Sequence, residues 1–100
     1  NAAIPCGLII NELITNALKH AFPDGTGGNV VVSIAHQPDD RVNLIVSDDG
    51  VGISDALEIE KSDTLGLSLV TLLSKQLNGK LTIKRKSPTE FALNFPITST

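Results

Sequence analysis

The sequence predicts an α/β fold: a two-layer sandwich with a mixed β-sheet and its helices packed on one face. Three observations lead there. Two stretches, running to about Phe22 and over Leu65–Leu77, carry apolar residues at helical spacing. Four shorter stretches are β-branched or alternate apolar with polar residues, as half-buried strands do. The order is helix, two strands, helix, two strands, so each helix must cover its single apolar side on a common sheet.

The chain begins Asn1-Ala2-Ala3-Ile4-Pro5, and Pro5 suits a first helical turn. The helix that follows is predicted to end before Pro23, with Ile9, Ile10, Leu13, Ile14, Ala17, Leu18 and Ala21 facing the core. Its other side gathers Glu12, Thr15, Asn16, Lys19 and His20 into one polar stripe, acidic at one end and basic at the other. A polyphosphate with a divalent metal suits such a stripe. Asn16 would offer a neutral oxygen to a hard cation, Lys19 and His20 would meet phosphate oxygens, and Glu12 would orient a water or hydroxyl. Taken alone, the stripe reads equally well as a solvated helix face.

Pro23-Asp24-Gly25-Thr26-Gly27-Gly28 is a loop. It lacks the Lys-Ser/Thr ending of a phosphate loop and follows a helix rather than a strand, so it reads as a connector. Val30–Ala35 and Val42–Val46 are predicted strands, joined as an antiparallel hairpin through Gln37-Pro38-Asp39-Asp40. The second runs into Ser47-Asp48-Asp49-Gly50-Val51-Gly52-Ile53. A carboxylate at a strand end, followed by alternate glycines, suits a turn against a flat ligand with an exocyclic amine. A plain Asp-Gly turn has the same sequence.

Ser54 to Thr64 is polar and acidic, a connector with room for one helical turn around Ala56-Leu57-Ile59. The second helix is expected to turn Leu65, Leu69, Leu72, Leu73 and Leu77 inward and to stop at Asn78-Gly79. Gly66 in its first turn suggests close packing there, by a strand or by a phosphate on free backbone amides. Leu81–Ile83 and Phe91–Phe95 complete the strands, joined through Ser87-Pro88-Thr89-Glu90.

Composition bounds the function. One hundred residues with 41% apolar and 19% charged side chains make one ordinary globular domain. The net charge of −3, without a dense basic stripe, argues against nucleic acid or an anionic membrane as partner. Lys80, Lys84, Arg85 and Lys86 form the one basic cluster, placed on a solvated strand face. No stretch is long and apolar enough to span a bilayer, and no secretory start is present. The single cysteine, Cys6, excludes an internal disulfide and suits a reducing compartment, as a small buried residue at a helix start. His36 is expected at the surface.

Taken in series, Asn11-Glu12-Leu13-Ile14-Thr15-Asn16-Ala17-Leu18-Lys19-His20, Asp48-Asp49-Gly50-Val51-Gly52, Leu65-Gly66-Leu67-Ser68-Leu69-Val70 and Thr89-Glu90-Phe91 have the order and spacing of one family. The chain resembles the ATP-binding catalytic domain of sensor histidine kinases, in the superfamily shared with gyrase, mismatch-repair ATPases and heat-shock chaperones. The resemblance covers about residues 5 to 96. It implies a Bergerat-type fold, binding of ATP with Mg²⁺, and a role for each matching residue. Asn16 would hold Mg²⁺, and Glu12 would polarise the attacking group. Lys19 and His20 would lie beside the phosphates. Asp48 would read the adenine amine, with Gly50, Gly52 and Ile53 as wall and hinge. Thr64, Gly66 and Leu67 would end a lid, and Thr89 would lie near the adenine.

The resemblance is incomplete in the lid. Thr64 and Ser68 stand where glycines are usual, and the interval from Ile53 to Thr64 is short and has no phenylalanine. A phosphoacceptor histidine in these kinases sits on a preceding helical dimerisation domain, a setting that neither His20 nor His36 has. The expectation is therefore a single domain over residues 1–100, truncated at its N-terminus and inactive alone. Its parent would be a cytoplasmic, homodimeric kinase acting indirectly on a response regulator, with no direct membrane contact. A serine kinase of the anti-sigma-factor kind, a nucleotide-sensing module and an ATP-operated clamp share the same motifs.

Overall fold

The architecture rests on four antiparallel strands, β1 (Val30–Gln37), β2 (Arg41–Asp48), β3 (Lys80–Lys84) and β4 (Thr89–Pro96), in the spatial order β1-β2-β4-β3. The computed structural model describes residues 3–22, 27–54, 67–86 and 88–97. Helix α1 (Ala3–Asn16) continues as a π-helical segment (Ala17–Ala21), and α2 (Ser68–Gln76) lies between β2 and β3 in the chain. The two helices pack against each other and on the sheet, with one core between the layers.

The two-layer α/β sandwich stands as the sequence predicts, but the sheet is not mixed among the described residues. A parallel pair would need β3 beside β2 after the α2 crossover. Instead β4 folds back from β3 and occupies that place, so β2 and β3 share a direction without touching and every pairing is antiparallel. The β1–β2 hairpin turns through Pro38-Asp39-Asp40, and Asp40 takes the left-handed backbone at φ 54°, as the last residue of a three-residue loop often does.

Alternation along β2 and β4 builds the sheet's half of the core. Val42 stands opposite Phe95, Leu44 opposite Leu93 and Val46 opposite Phe91, all on the face under the helices. From the helix side come Ile9, Leu13, Leu67, Val70 and Leu73. Burying a side chain such as Ile9 stabilises the fold by roughly 1.5–3 kcal/mol. Ser74 also faces inward, and its hydroxyl donates to the Val70 carbonyl at 2.7 Å, so no polar group is stranded there. Cys6 packs half-buried against this core, where burial pushes its thiol pKa up.

Both helices differ from the pattern predicted for them. In the first, the buried residues are Ile9, Leu13, Ala17 and Ala21, each four apart. A straight α-helix overshoots a full turn by about 40° over four residues, so that row would drift off the core. The wider π turn undoes part of the drift. It keeps Ala21 inside and sends Leu18 outward, 65% exposed, against the inward position expected for it. In the second, Leu67, Val70, Leu73 and Ser74 are buried, while Leu69 and Leu72 are 37% and 55% exposed. Leucines on both sides of the stretch leave its phase open to periodicity alone, and packing against α1 and β3 chooses it. Leu65 and Gly66 lie outside the described residues.

The predicted stop of the second helix holds, with Asn78 left-handed at φ 56°. The Gly79 N–H reaches the Ser74 carbonyl at 2.8 Å and the Asn78 N–H reaches Lys75 at 3.0 Å, a Schellman closure. Lys80 and Lys84 are exposed on β3 and His36 is exposed on β1, as expected.

The altered phase of the first helix is testable by urea denaturation. Ile9→Ala should cost about 2–5 kcal/mol, as fully buried large-to-small changes do. Leu18→Ala should stay within about 0.5 kcal/mol of wild type. Equal losses would mean that residues 17–21 continue the α-helical face.

Candidate functional site

The inward alternation that builds the core ends in a polar rung. Beyond Val46 and Phe91, the next pair on the same face is Asp48 opposite Thr89, only 8% and 4% exposed. A carboxylate and a hydroxyl are therefore held by two central strands at the edge of an apolar core. Above them opens a cleft of about 620 Å³, open space at its mouth included. Its walls come from the first helix (Leu13, Asn16, Ala17, His20, Ala21), the sheet (Val46, Asp48, Thr89, Phe91) and the turn after β2 (Gly52, Ile53, Ser54).

The local hydrogen bonds decide what this rung can recognise. Asp48 Oδ1 accepts from the Gly50 N–H at 2.9 Å, which leaves Oδ2 to a ligand. The Thr89 hydroxyl donates to the Arg85 carbonyl at 3.0 Å and so faces the cleft as an acceptor. Two buried acceptors side by side match a group that donates, such as an exocyclic amine, and repel a carbonyl in the same place.

Two glycines make the turn that carries Asp48. The Val51 N–H donates to the Ala21 carbonyl at 2.9 Å, and a side chain at Gly50 would collide with that carbonyl and with the Ala21 methyl. Gly52 has φ +82°, a backbone state that costs other residues energy, and lies against Arg85 and Lys86. The Ile53 N–H donates to the Arg85 carbonyl at 2.8 Å, and the Arg85 guanidinium donates to the Ser54 carbonyl. The turn is thus stapled to the π segment on one side and to the β3–β4 connection on the other.

At the helix side of the cleft, Asn16 Nδ2 is buried without a hydrogen-bond partner among the described residues. A native buried amide left so is completed by a water, an ion or a ligand group. It suits an anion's oxygen, or, with the amide turned over, a cation on its oxygen. His20 lines the cleft one turn further on and is exposed.

Of the residues singled out in the sequence, Asn16, His20, Asp48, Gly52, Ile53 and Thr89 line this one cleft. Gly50 supports it from behind. Glu12 is half-buried and Lys19 exposed, and neither is part of the lining. Leu67 belongs to the core rather than the cleft. Thr64 and Gly66 lie outside the described residues, as do Ala56, Leu57 and Ile59. The apolar walls Leu13, Val46 and Phe91 were not singled out for the site. Continuing the alternation of β2 and β4 past Asp48 and Thr89 would have found Val46 and Phe91.

Comparison with known proteins gives the family and the fold. The family model of histidine kinase-, DNA gyrase B- and HSP90-like ATPases matches residues 2–99. The chain is 36% identical over 93 residues to the sensor histidine kinase PdtaS of Mycobacterium tuberculosis, covering 90% of this chain and 19% of that protein. The solved histidine kinase domain of the Erythrobacter litoralis EL346 blue-light activated histidine kinase superposes with a TM-score of 0.86 at 30% identity, over 95% of this chain and 47% of that one. An anti-sigma F factor of Shouchella clausii matches only 47 residues, at 40% identity, covering 47% of this chain and 32% of that protein.

Placing Asp48 in the cleft wall has a thermodynamic signature. Desolvation raises its carboxyl above the ordinary 3.8, the Gly50 N–H opposes the rise, and Asp49 adds to it. A raised folded-state pKa means that the native protein holds the proton longer than the unfolded chain. The penalty is absent below the ordinary value, grows as pH rises through the window above it, and is complete beyond the raised one. Asp48→Asn keeps an acceptor for Gly50 and removes the buried charge. Its urea midpoint relative to wild type should therefore rise between pH 3.5 and pH 7. A relative midpoint that falls with pH would show that Asp48 is stabilised as a carboxylate.

Proposed function

Because the chain belongs to the family of histidine kinase-, DNA gyrase B- and HSP90-like ATPases, we propose that it is the ATP-binding catalytic domain of a sensor histidine kinase. The observation that carries the reading is the pairing, in one cleft, of a buried acceptor rung with a buried amide that has no hydrogen-bond partner among the described residues. The adenine amine would donate to Asp48 Oδ2, with Thr89 accepting from the base or from a water on it. Val46, Ile53, Phe91 and Leu13 would cover the base with apolar surface, and Gly52 would let the backbone come close to it.

The phosphates would run along the first helix toward Asn16, His20 and Lys19. Mg²⁺, when bound, neutralises phosphate charge, and Asn16 is the residue suited to hold it. Glu12, one turn before Asn16, would polarise the attacking group. Thr64 and Gly66 would belong to the lid over the nucleotide, with Leu67, which sits in the core, anchoring its end. Transfer of the γ-phosphoryl group is then positioning and charge neutralisation, with little covalent work for the domain itself.

The acceptor would be a histidine on a helical dimerisation domain of the same parent. The chain spans 19% of the length of PdtaS, which leaves ample room for such a domain in proteins of that kind. We place the parent in the cytoplasm as a homodimer that passes the phosphoryl group on to a response regulator, with no nucleic-acid partner. No helix among the described residues is long and apolar enough to cross a membrane. The match to anti-sigma F factors keeps one second reading, a serine kinase, in view.

Nucleotide choice tests the site. Calorimetry should show ATP and ADP bound in preference to GTP, and Asp48→Asn should weaken adenine nucleotides by about 1–3 kcal/mol. Equal affinity for ATP and GTP in the wild type would remove Asp48 from the role assigned to it.

Phosphoryl transfer tests the reaction. The isolated chain should not label itself from radioactive ATP, whereas the parent's helical domain added in trans should acquire label that is lost in acid and survives alkali. Acid-stable label would favour the serine kinase. ATP binding with no transfer to a folded acceptor domain would make the chain a nucleotide-sensing module.

A further inference from the structure

Asp49 lies immediately after Asp48 and outside the cleft lining, and three hydrogen bonds join it to Asn29. Its Oδ1 accepts from the Asn29 backbone N–H at 2.7 Å and its Oδ2 from the Asn29 side-chain amide at 3.2 Å. In return the Asp49 N–H donates to the Asn29 carbonyl at 3.3 Å. The β1–β2 ladder ends at Val30 opposite Asp48, so Asn29 and Asp49 form the next rung, closed by a carboxylate where the backbone ladder gives out. A side chain at the preceding Gly28 would collide with the Phe22 ring and the Asp49 carboxylate, so Gly28 is packed closely between Phe22 and this rung.

We propose that the Asn29–Asp49 pair is a positioning clamp that holds the Asp48–Gly50 turn and the entry to β1 in the geometry that reads the base. The proposal rests on the nucleotide reading of the cleft. Without the clamp, the start of β1 keeps the Val30–Asp48 rung as its tie to the turn, while the turn itself keeps its bonds to Ala21 and Arg85. Both partners are exposed, so the clamp stands on its hydrogen bonds rather than on burial. Asp49 is not part of the cleft lining, so its effect passes through its neighbour Asp48.

A charge-conserving swap isolates this role. Asp49→Asn keeps an oxygen for the Asn29 backbone N–H but removes the charge and sets two amides together, Asn29→Asp sets two carboxylates together, and the double variant restores the carboxylate–amide pair with its direction reversed. In calorimetry at a temperature where far-UV circular dichroism shows every variant folded, each single variant should bind ATP roughly threefold to tenfold more weakly. The ATP-over-GTP ratio should fall with it, and the double variant should recover both. A purely structural pair would lower the melting temperature and leave that ratio alone.

Linkage gives a second readout in the wild type. If the closed clamp favours binding, ADP must favour the closed clamp, so hydrogen exchange of the Asn29 amide should slow on saturation with ADP. Single variants with unchanged selectivity, a folded swap that recovers nothing, or Asn29 exchange indifferent to ADP would each overturn the clamp. A folded wild type that binds no adenine nucleotide overturns the nucleotide reading itself and the clamp with it.

Discussion

The register between β2 and β4 is the constraint from which the site follows. Side chains alternate across a sheet with a period of two, so slipping one strand by one residue would exchange its buried and exposed sets. As the strands lie, Val42, Leu44 and Val46 meet Phe95, Leu93 and Phe91 under the helices, and the next inward pair is Asp48 and Thr89. Three apolar rungs thus hold a polar rung that could not hold itself. Burial costs the Asp48 carboxylate stability, and the rungs behind it offset that cost. The acceptor pair is as rigid as the core because it is the last row of the core.

The first helix reaches the same site by a different route. Its buried row of residues four apart needs the change to π geometry at Ala17, and that change also brings the Ala21 carbonyl to the Val51 N–H. The end of the helix is therefore bonded to the turn that carries Asp48. Asn16 and His20, on the cleft side of that helix, are tied to the Asp48 end of the cleft through one backbone bond and the Gly50 contact, which only glycine permits. π segments are costly and commonly mark functional sites. Here the segment sits where a core-facing helix must become a wall of the cleft.

How much of this was legible in the sequence depended on whether one interaction or several decided the matter. The hairpin, the Asn78 stop and the inward sets of β2 and β4 follow from local pattern and turn chemistry, and they were readable. The polar residues of the cleft were readable for the same reason. Asp48 followed by alternate glycines and the Asn16–His20 stripe are each written in a few neighbouring positions, and the resemblance joined them. The antiparallel sheet was not readable, because whether β3 or β4 lies beside β2 is a choice between two long-range pairings. The phases of Leu18, Leu69 and Leu72 failed for a related reason. A stretch with leucines on several sides satisfies more than one face, and only packing against the other layer selects among them.

The two ends of the cleft differ in rigidity, and under the proposed function that difference divides their work. Asp48 and Thr89 are fixed by strands, by their own hydrogen bonds and by burial. They can discriminate among bases because an unmatched donor or acceptor there has no water to turn to. Lys19 and His20 stand exposed on a helix surface, where charge is screened and side chains move. Such groups attract phosphates without fixing an in-line geometry, which phosphoryl transfer demands. Base recognition can therefore be complete within this domain while the transfer geometry is not. The missing constraint must come from whatever closes over the phosphates and presents the acceptor, so nucleotide binding and phosphoryl transfer should separate cleanly when the domain is studied with and without its partner domain.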